Sequence, residues 1–336
     1  MTKENKVLLR ADNIRKYYPA HSEGLWPVKE WVRAVDYVSF DIYEGETLGL
    51  VGESGSGKST VGRQLVGLEE PDEGAVIYKG KDLAKMSRSE FRKIRREVQM
   101  VFQDPNSSLN PRKHVREILA EPMLYHKLYD KHTVNDRIYE LLDLVGLPKN
   151  SLGRYPYEFS GGQKQRLGIA KALSLDPQLL ILDEPVSALD VSIQAQILNL
   201  LRDLQKELDL TYLFIAHGLG AVHYISDRIA VMYLGKIMEI GNGSEIFRNP
   251  QHPYTMALTH ADPIPDPDMR GVMALSIEGE MPSAVDPPSG CRFHTRCTFA
   301  EAECAKKVPP MEKVHGSETH YSACPVIQRL KKGETK

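Results

Sequence analysis

Short unbroken apolar runs alternate along this chain with stretches whose apolar residues recur every three or four positions. Thr47-Leu48-Gly49-Leu50-Val51 reads as a buried strand, and Leu179-Leu180-Ile181-Leu182, ending in Asp183-Glu184, as a strand buried on both faces. Thr211-Tyr212-Leu213-Phe214-Ile215-Ala216 and Arg228 to Leu234 are two further strands by the same criterion. Helical spacing marks Thr60 to Leu68. It also marks the stripe Ile193, Ile197, Leu200, Leu201, Leu204 and Leu208, which Asp190 or Ser192 could cap. This alternation predicts a largely parallel α/β sheet. Between about Asp104 and Ser160 the pattern turns helical, with Val134, Ile138, Leu141, Leu142 and Val145 on one face, and reads as a helical insertion.

The pattern weakens towards the carboxyl end. Asn249-Pro250-Gln251-His252-Pro253 and Asp262-Pro263-Ile264-Pro265-Asp266-Pro267-Asp268 read as a linker, beyond which the chain is loop-rich and poorly periodic. The expected organisation is a domain over 1–260, with a helical subdomain at about 104–170, and an extension over 261–336. No internal repeat is evident. The basic run Lys85, Arg88, Arg92, Lys93, Arg95, Arg96 places Arg88, Arg92 and Arg95 at helical spacing, so it reads as a solvated helix face.

Composition narrows the field. The 336 residues can bury a large core, and a net charge of −2 leaves no electrostatic footprint for nucleic acid. Met1 to Lys6 lead into no apolar segment, so no secretory signal is expected, and no stretch approaches the ~20 apolar residues of a membrane span.

The candidate chemistry begins at Gly52-Glu53-Ser54-Gly55-Ser56-Gly57-Lys58-Ser59-Thr60, which fits G-x-x-x-x-G-K-[ST] directly after a strand. Glycines let such a loop curl so that successive N–H groups face phosphate oxygens. Lys58 adds a charge for the β- and γ-phosphates, and the Ser59 hydroxyl can ligate Mg²⁺. The loop implies a nucleoside triphosphate. Asp183-Glu184 supplies the acidic half of an ATPase site: one carboxylate for Mg²⁺, the next to polarise an attacking water.

Phe159-Ser160-Gly161-Gly162-Gln163, followed by Leu167-Gly168-Ile169-Ala170, resembles the signature segment of ATP-binding-cassette ATPases, with Phe159 where leucine is usual. A Ser/Gly turn opening a helix favours an anion in any case. By this resemblance Gln103, in Val101-Phe102-Gln103-Asp104-Pro105, is the glutamine that contacts Mg²⁺ or the lytic water. Ser187-Ala188-Leu189-Asp190 matches the D-loop, His217 the histidine at the γ-phosphate, and Tyr18 the aromatic that stacks on adenine, with Tyr17 adjoining it. Gly45 to Ser54, Phe102 to Pro105, Asn110-Pro111-Arg112 and Glu184 to Gln196 are similar to the oligopeptide/dipeptide importer ATPases, and within them to the F-type subunit. Gly218 departs from the acidic or amide residue common after that histidine.

Cys291, Cys297, Cys304 and Cys324, separated by five, six and nineteen residues, contain no tight C-x₂₋₄-C pair. Spacing alone leaves an iron–sulfur cluster, zinc and ordinary buried thiols open, with Pro325 after Cys324 in keeping with a cluster. The family resemblance implies a 4Fe–4S cluster, with Zn²⁺ the alternative. Such a cluster would fold a tail too poor in apolar periodicity to build its own core, separate from that of the phosphate loop. His294 reads as a surface residue.

The resemblance implies a phosphate-loop ATPase core of the ABC type with a helical subdomain and a small cysteine-bearing extension. It implies ATP and Mg²⁺ as cofactors, with Ser59, Gln103 and Asp183 at the metal and Glu184 as base. It also implies a paralogous partner ATPase, whose ATP would meet Ser160, Gly161, Gly162 and Gln163. Two transmembrane permease subunits and an extracytoplasmic solute-binding protein complete the complex, at the cytoplasmic face of the membrane, with no nucleic acid. The rivals are a soluble cassette ATPase of translation or DNA repair and a phosphate-loop kinase. The second would lack the Ser160–Gln163 segment.

Overall fold

The computed structural model describes residues 6–20, 30–261, 279–331 and 333. Asp262 to Asp268, the second half of the expected linker, lie outside the described residues, as do Met1 to Asn5. The chain forms two compact units. One comprises Met1–Lys6, Tyr43–Glu46 and Lys85–Ile215, and the other Val7–Ile42, Thr47–Ala84 and Ala216–Lys336.

In the first unit the strand Leu179–Asp183 lies parallel between Val98–Val101 and Thr211–Ala216, with Leu182 opposite Val101 on one side and Phe214 on the other. Every residue of Leu179–Asp183 and of Thr211–Ala216 is buried, which is why these strands read as continuous apolar runs. The insertion is helical as expected, with Val115–Tyr125, Val134–Leu144 and Gly161–Leu173 packed together. Val134, Ile138, Leu141, Leu142 and Val145 are all buried. The helix Val191–Leu208 buries Ile197, Leu201 and Leu204 of the expected stripe, and Leu198 beside it.

The basic helix Arg88–Glu97 starts with a Ser87/Glu90 capping box and buries none of its residues. Arg88, Arg92 and Arg95 are all exposed, as the solvated-face reading expects. Arg88, Arg92, Lys93 and Arg96 line an open cavity of about 530 Å³ with Tyr125, His126 and Lys127, while Arg95 lies over the Phe91 ring.

The second unit contains Thr47–Val51 parallel to Arg228–Tyr233, with Lys236–Asn242 antiparallel beyond it. A separate four-stranded sheet runs in the order Trp31–Tyr43, Val7–Pro19, Glu73–Tyr78, Lys81–Asp82. The sequence did not announce this antiparallel layer, because its pairing joins distant positions, 67 apart for Arg10↔Ile77.

Two expectations about the tail are corrected here. Asn249 to Pro253 is no linker: Gln251 and His252 are buried, and their N–H groups donate to the two carboxylate oxygens of Glu239 at 2.6 and 2.8 Å. Glu239 is itself fully buried and meets His320 Nε2 at 2.7 Å, so the prolines bracket a buried polar cluster. Nor is the tail separate from the rest of its unit. Tyr321–Ser322 pairs antiparallel with Lys236–Asn242, and Ala323 N–H donates to the Met238 carbonyl. Backbone pairing with an existing strand supplies what the tail's sparse apolar pattern does not. A small cluster of Cys324, Val326 and Ile327, packed on Met256 and Phe299, completes it. Among the described residues no helix is long and apolar enough to cross a membrane.

Candidate functional site

The phosphate loop follows the wholly buried strand Thr47–Val51 and opens the helix Lys58–Leu65, two residues earlier than the apolar spacing predicts. Its shape depends on two glycines. Gly57 has φ +105°, and a Cβ there would stand 2.0 Å from the Ala34 carbonyl oxygen. A Cβ on Gly52 would stand 2.1 Å from the Met232 carbonyl oxygen. Both contacts are with backbone, so neither position tolerates a side chain without moving a strand. The Gly235 N–H fixes the loop further by donating to the Ser56 carbonyl at 2.9 Å.

Lys58 is only 4% exposed, and its Nζ donates to the carbonyls of Gly52 and Glu53 at 2.6 and 2.8 Å. An ammonium held at the loop's mouth by its own carbonyls can move to stronger, charged acceptors such as phosphate oxygens. Ser54 and Gly55 are exposed, Ser56 is buried, and Ser59 and Thr60 are half-buried. Tyr18 is tied to this loop: its hydroxyl bonds to Glu69 and to the Thr60 side chain. Burial together with the Glu69 bond pushes the Tyr18 phenol up to about 12. Tyr17 turns elsewhere, donating to Asp36 at 2.7 Å. His217 follows the buried strand Thr211–Ala216 and is exposed, and Gly218 serves as the residue before the helix Leu219–Ile225.

In the other unit, Asp183 and Glu184 end the central strand, 4% and 5% exposed. Gln103 Nε2 donates to Glu184 Oε2 at 2.7 Å, so the structure brings these two predicted residues together. Glu184 has φ +49°, a left-handed conformation held by its N–H to the Ile215 carbonyl at 2.9 Å and by Ser187 N–H and Oγ on its own carbonyl. Non-glycine residues rarely adopt it, and such strain concentrates where a side chain must be aimed.

Ser160 caps the helix Gly161–Leu173 through a complete capping box with Gln163. Gly162 is required by packing, since a Cβ there would stand 2.6 Å from Ile193 Cγ2. Phe159 is buried beneath the Arg154 guanidinium, 4.4 Å from its ring centroid, so the aromatic is accommodated where leucine was expected. Asp190 precedes the helix Val191–Leu208, but its side chain makes no capping bond. It is exposed, and Gln194 ties the turn by donating to the Leu189 carbonyl at 2.8 Å.

The four cysteines are free thiols that share one neighbourhood. Cys291 N–H donates to the Cys304 carbonyl at 2.7 Å, and Cys291, Cys304 and Cys324 line a cavity of about 260 Å³. Burial, reinforced by the neighbouring thiols, pushes Cys291 up to about 11 and Cys324 up to about 12. Burial raises Cys297 as well. Yet no group of three or more His, Cys, Asp or Glu side chains among the described residues is arranged to hold a metal ion. His294 is half-buried rather than on the surface, its Nδ1 2.9 Å from the Cys291 carbonyl.

Several residues that the motifs did not mark bear on the loop. Tyr254 and Arg296 bond to Glu53, the first variable position of the loop motif, Tyr233 bonds to Arg296, and no local pattern connects them to it.

Residues 35–187 match the family described as "ABC transporter", and residues 238–304 the family described as "Oligopeptide/dipeptide transporter, C-terminal region". The oligopeptide transport ATP-binding protein AppF of Bacillus subtilis is 50% identical over 330 residues, spanning 96% of this chain and 99% of that protein. OppF of Salmonella typhimurium, also an oligopeptide transport ATP-binding protein, is 50% identical over 331 residues, spanning 97% and 98%. Among solved structures, the ATP-binding cassette MJ0796, in a dimeric post-hydrolysis state bound to ADP and Pi, superposes with a TM-score of 0.61 at 29% identity. That match covers 70% of this chain and 98% of that one.

Proposed function

The chain belongs to the ABC ATPases of the oligopeptide/dipeptide transporter family, and from that premise we propose that it hydrolyses ATP to power import of peptides or related small solutes through a separate permease. The observation that carries this reading is the 50% identity to an oligopeptide transport ATP-binding protein over 96% of the chain, tail included. A likeness of that extent favours transport over a cassette ATPase of translation or DNA repair.

In this reading Gly52 to Thr60 cradle the phosphates, Tyr18 stacks on adenine, and Ser59, Gln103 and Asp183 attend Mg²⁺. Glu184 takes the proton of the attacking water, positioned by Gln103, and His217 contacts the γ-phosphate. Ser160 to Gln163 and Asp190 serve the nucleotide of a partner ATPase, a paralogue rather than a second copy. The chain sits at the cytoplasmic face of the membrane, with two permease subunits and an extracytoplasmic solute-binding protein in the complex. Residues 1–260 form the ATPase domain, with its helical subdomain at about 104–170, and 261–336 the extension.

The extension is proposed to hold a 4Fe–4S cluster through Cys291, Cys297, Cys304 and Cys324, with zinc the alternative. Thiols are the donors such a cluster takes, and a backbone hydrogen bond links Cys291 to Cys304, although no three of these side chains are arranged for a metal among the described residues. Its contribution when bound would be structural, tying the loop-rich segments together.

Reconstitution tests the function. The complex in lipid vesicles should take up a labelled oligopeptide only with internal-face ATP, and peptide-loaded binding protein should accelerate hydrolysis. ATP turnover indifferent to the permease and to peptide would sink the transport reading.

A further inference from the structure

Glu53 is held from three directions. Its N–H donates to the Tyr254 hydroxyl at 2.8 Å, and its carbonyl accepts from Lys58 Nζ at 2.8 Å. Both of its carboxylate oxygens lie 3.1 Å from Nη1 of Arg296, a side chain only 8% exposed. The same Nη1 donates to the Tyr233 hydroxyl at 3.1 Å.

Arg296 arrives on a short, well-anchored segment of the cysteine tail. It ends the 3-10 turn His294–Arg296, which the Cys291 carbonyl pins by accepting from His294 N–H at 3.1 Å, and it directly precedes Cys297. Phe293 packs its ring 5.3 Å from those of both Tyr233 and Tyr254. Arg292 donates to Asp36 at 2.8 Å, and Asp36 in turn accepts from Tyr17 and pairs with Lys236. Residues 291–297 therefore seat on the phosphate loop and its supports through two arginine–carboxylate pairs.

We propose that Arg296 is a positioning residue for ATP binding, holding the Glu53 carboxylate off the phosphate-binding side of the loop. This rests on reading Gly52 to Thr60 as the ATP site. A loop that must receive polyphosphate carries an acid five positions before its lysine, and Lys58 already touches that residue's carbonyl. Released, the carboxylate can reach for the same ammonium and oppose the incoming phosphates by like-charge repulsion. Paired with a buried guanidinium it does neither. ATP affinity thereby depends on whether the tail is docked, and Cys297 is one peptide bond from the residue that makes the link.

The test is MgATP titration of the isolated full chain by calorimetry, with melting temperature measured beside it. Arg296→Met keeps the apolar stem and removes the charge, and should raise Kd roughly three- to tenfold, the scale of a partly buried ion pair. Arg296→Gln carries the same expectation where methionine is not tolerated. With Glu53→Gln already present, the same Arg296 change should cost less than about twofold, because the charge to be restrained is gone. An unchanged Kd in a folded Arg296 variant, or an equal loss in the Glu53→Gln background, overturns the proposal. Failure of the wild-type chain to bind MgATP would instead overturn the ATP-site reading on which it rests.

Discussion

Gln103 and Glu184, eighty-one positions apart in the chain, are joined by a 2.7 Å hydrogen bond from the amide nitrogen to the carboxylate. The bond fixes the direction of a side chain whose backbone is already committed to φ +49°. An acid aimed in this way can take a proton from water without first reorganising.

Replacing Glu184 by Gln preserves shape and removes the basic carboxylate. ATP should still bind, a closed dimer should accumulate with the partner subunit, and turnover should fall at least ~10²-fold, the usual scale for a positioned base. Phosphate release measured in the reconstituted complex checks this. Near-wild-type turnover removes Glu184 from that role.

Lys58 and Ser160 separate binding from closure. Lys58→Ala deletes the ammonium that now rests on the Gly52 and Glu53 carbonyls, and should weaken ATP binding to the isolated chain at least about tenfold, as expected for a charged hydrogen bond of roughly 1.5–3 kcal/mol. Ser160→Arg should leave that binding nearly intact yet stop hydrolysis in the assembled complex, if Ser160 serves the nucleotide of a partner ATPase as proposed. Equal loss of binding to the monomer in both variants would contradict the assignment of Ser160 to the partner's ATP.

Gly57 tests the loop's geometry rather than its charge. At φ +105°, with the Ala34 carbonyl 2.0 Å from any added Cβ, alanine meets both backbone strain and a backbone clash. Gly57→Ala should cost more than ~2 kcal/mol of stability and abolish nucleotide binding. Gly55→Ala is the control, because a Cβ there meets nothing within 4 Å and only its φ of +79° resists. Its loss of binding and of melting temperature should be clearly smaller. Calorimetric melting and nucleotide titration of the pair decide the point.

The parts of this site that were legible in the sequence are those built from consecutive residues. The phosphate loop, the Ser160–Gln163 capping box and the acid pair ending Leu179–Asp183 each carry their geometry in a few adjacent side chains. The continuous apolar strands were legible for a related reason, since burial on both faces removes every polar residue. What escaped reading depends on distant partners. The proline-bracketed segment at Gln251 looked like a linker because the acid that collects its N–H groups, Glu239, lies on a strand. Arg296 and Glu53 are separated by 243 positions, and neither residue type betrays the other. The antiparallel sheet of Val7–Pro19 and Glu73–Tyr78 was hidden because its partners lie far apart in the chain and the exposure along Val7–Pro19 follows no regular alternation.

Acid sensitivity should trace in part to His252. The ring is fully buried, accepts the Tyr254 N–H at Nδ1, and is pushed down to about 3 by desolvation. In the unfolded chain it takes up a proton near 6.5, where the folded state binds none. Stability from this group is therefore complete above pH 6.5 and declines as pH falls towards 3. His252→Asn keeps an acceptor and removes the titration, so its unfolding free energy should fall less steeply between pH 6.5 and 4.5. Identical slopes for the two proteins would exclude His252 as a contributor.

The tail should respond to alkali, and the direction should depend on whether its thiols hold a metal. Burial pushes Cys291 up to about 11 and Cys324 up to about 12, from a usual value of 9. An undocked tail therefore releases these protons near pH 9, while a docked one keeps them to pH 11 or beyond. Over that window the undocked state binds fewer protons, so docking weakens as pH rises; below pH 9 both states are protonated and the dependence vanishes. In metal-free protein, proteolytic cutting beyond Gly290 should accelerate between pH 9 and 11, and replacing both Cys291 and Cys324 by Ala should flatten that rise. Loading with metal reverses the sign, because ligation needs thiolates and releases their protons, so occupancy is favoured as pH increases. Protein purified without oxygen and holding iron should then resist cutting across the same window. Metal analysis distinguishes the bound species: about four irons per chain for a 4Fe–4S cluster, about one zinc for a structural zinc site. A cutting rate that is flat with pH in the metal-free wild type, and equal to that of the double Ala variant, would show that the buried thiols do not govern docking of the tail.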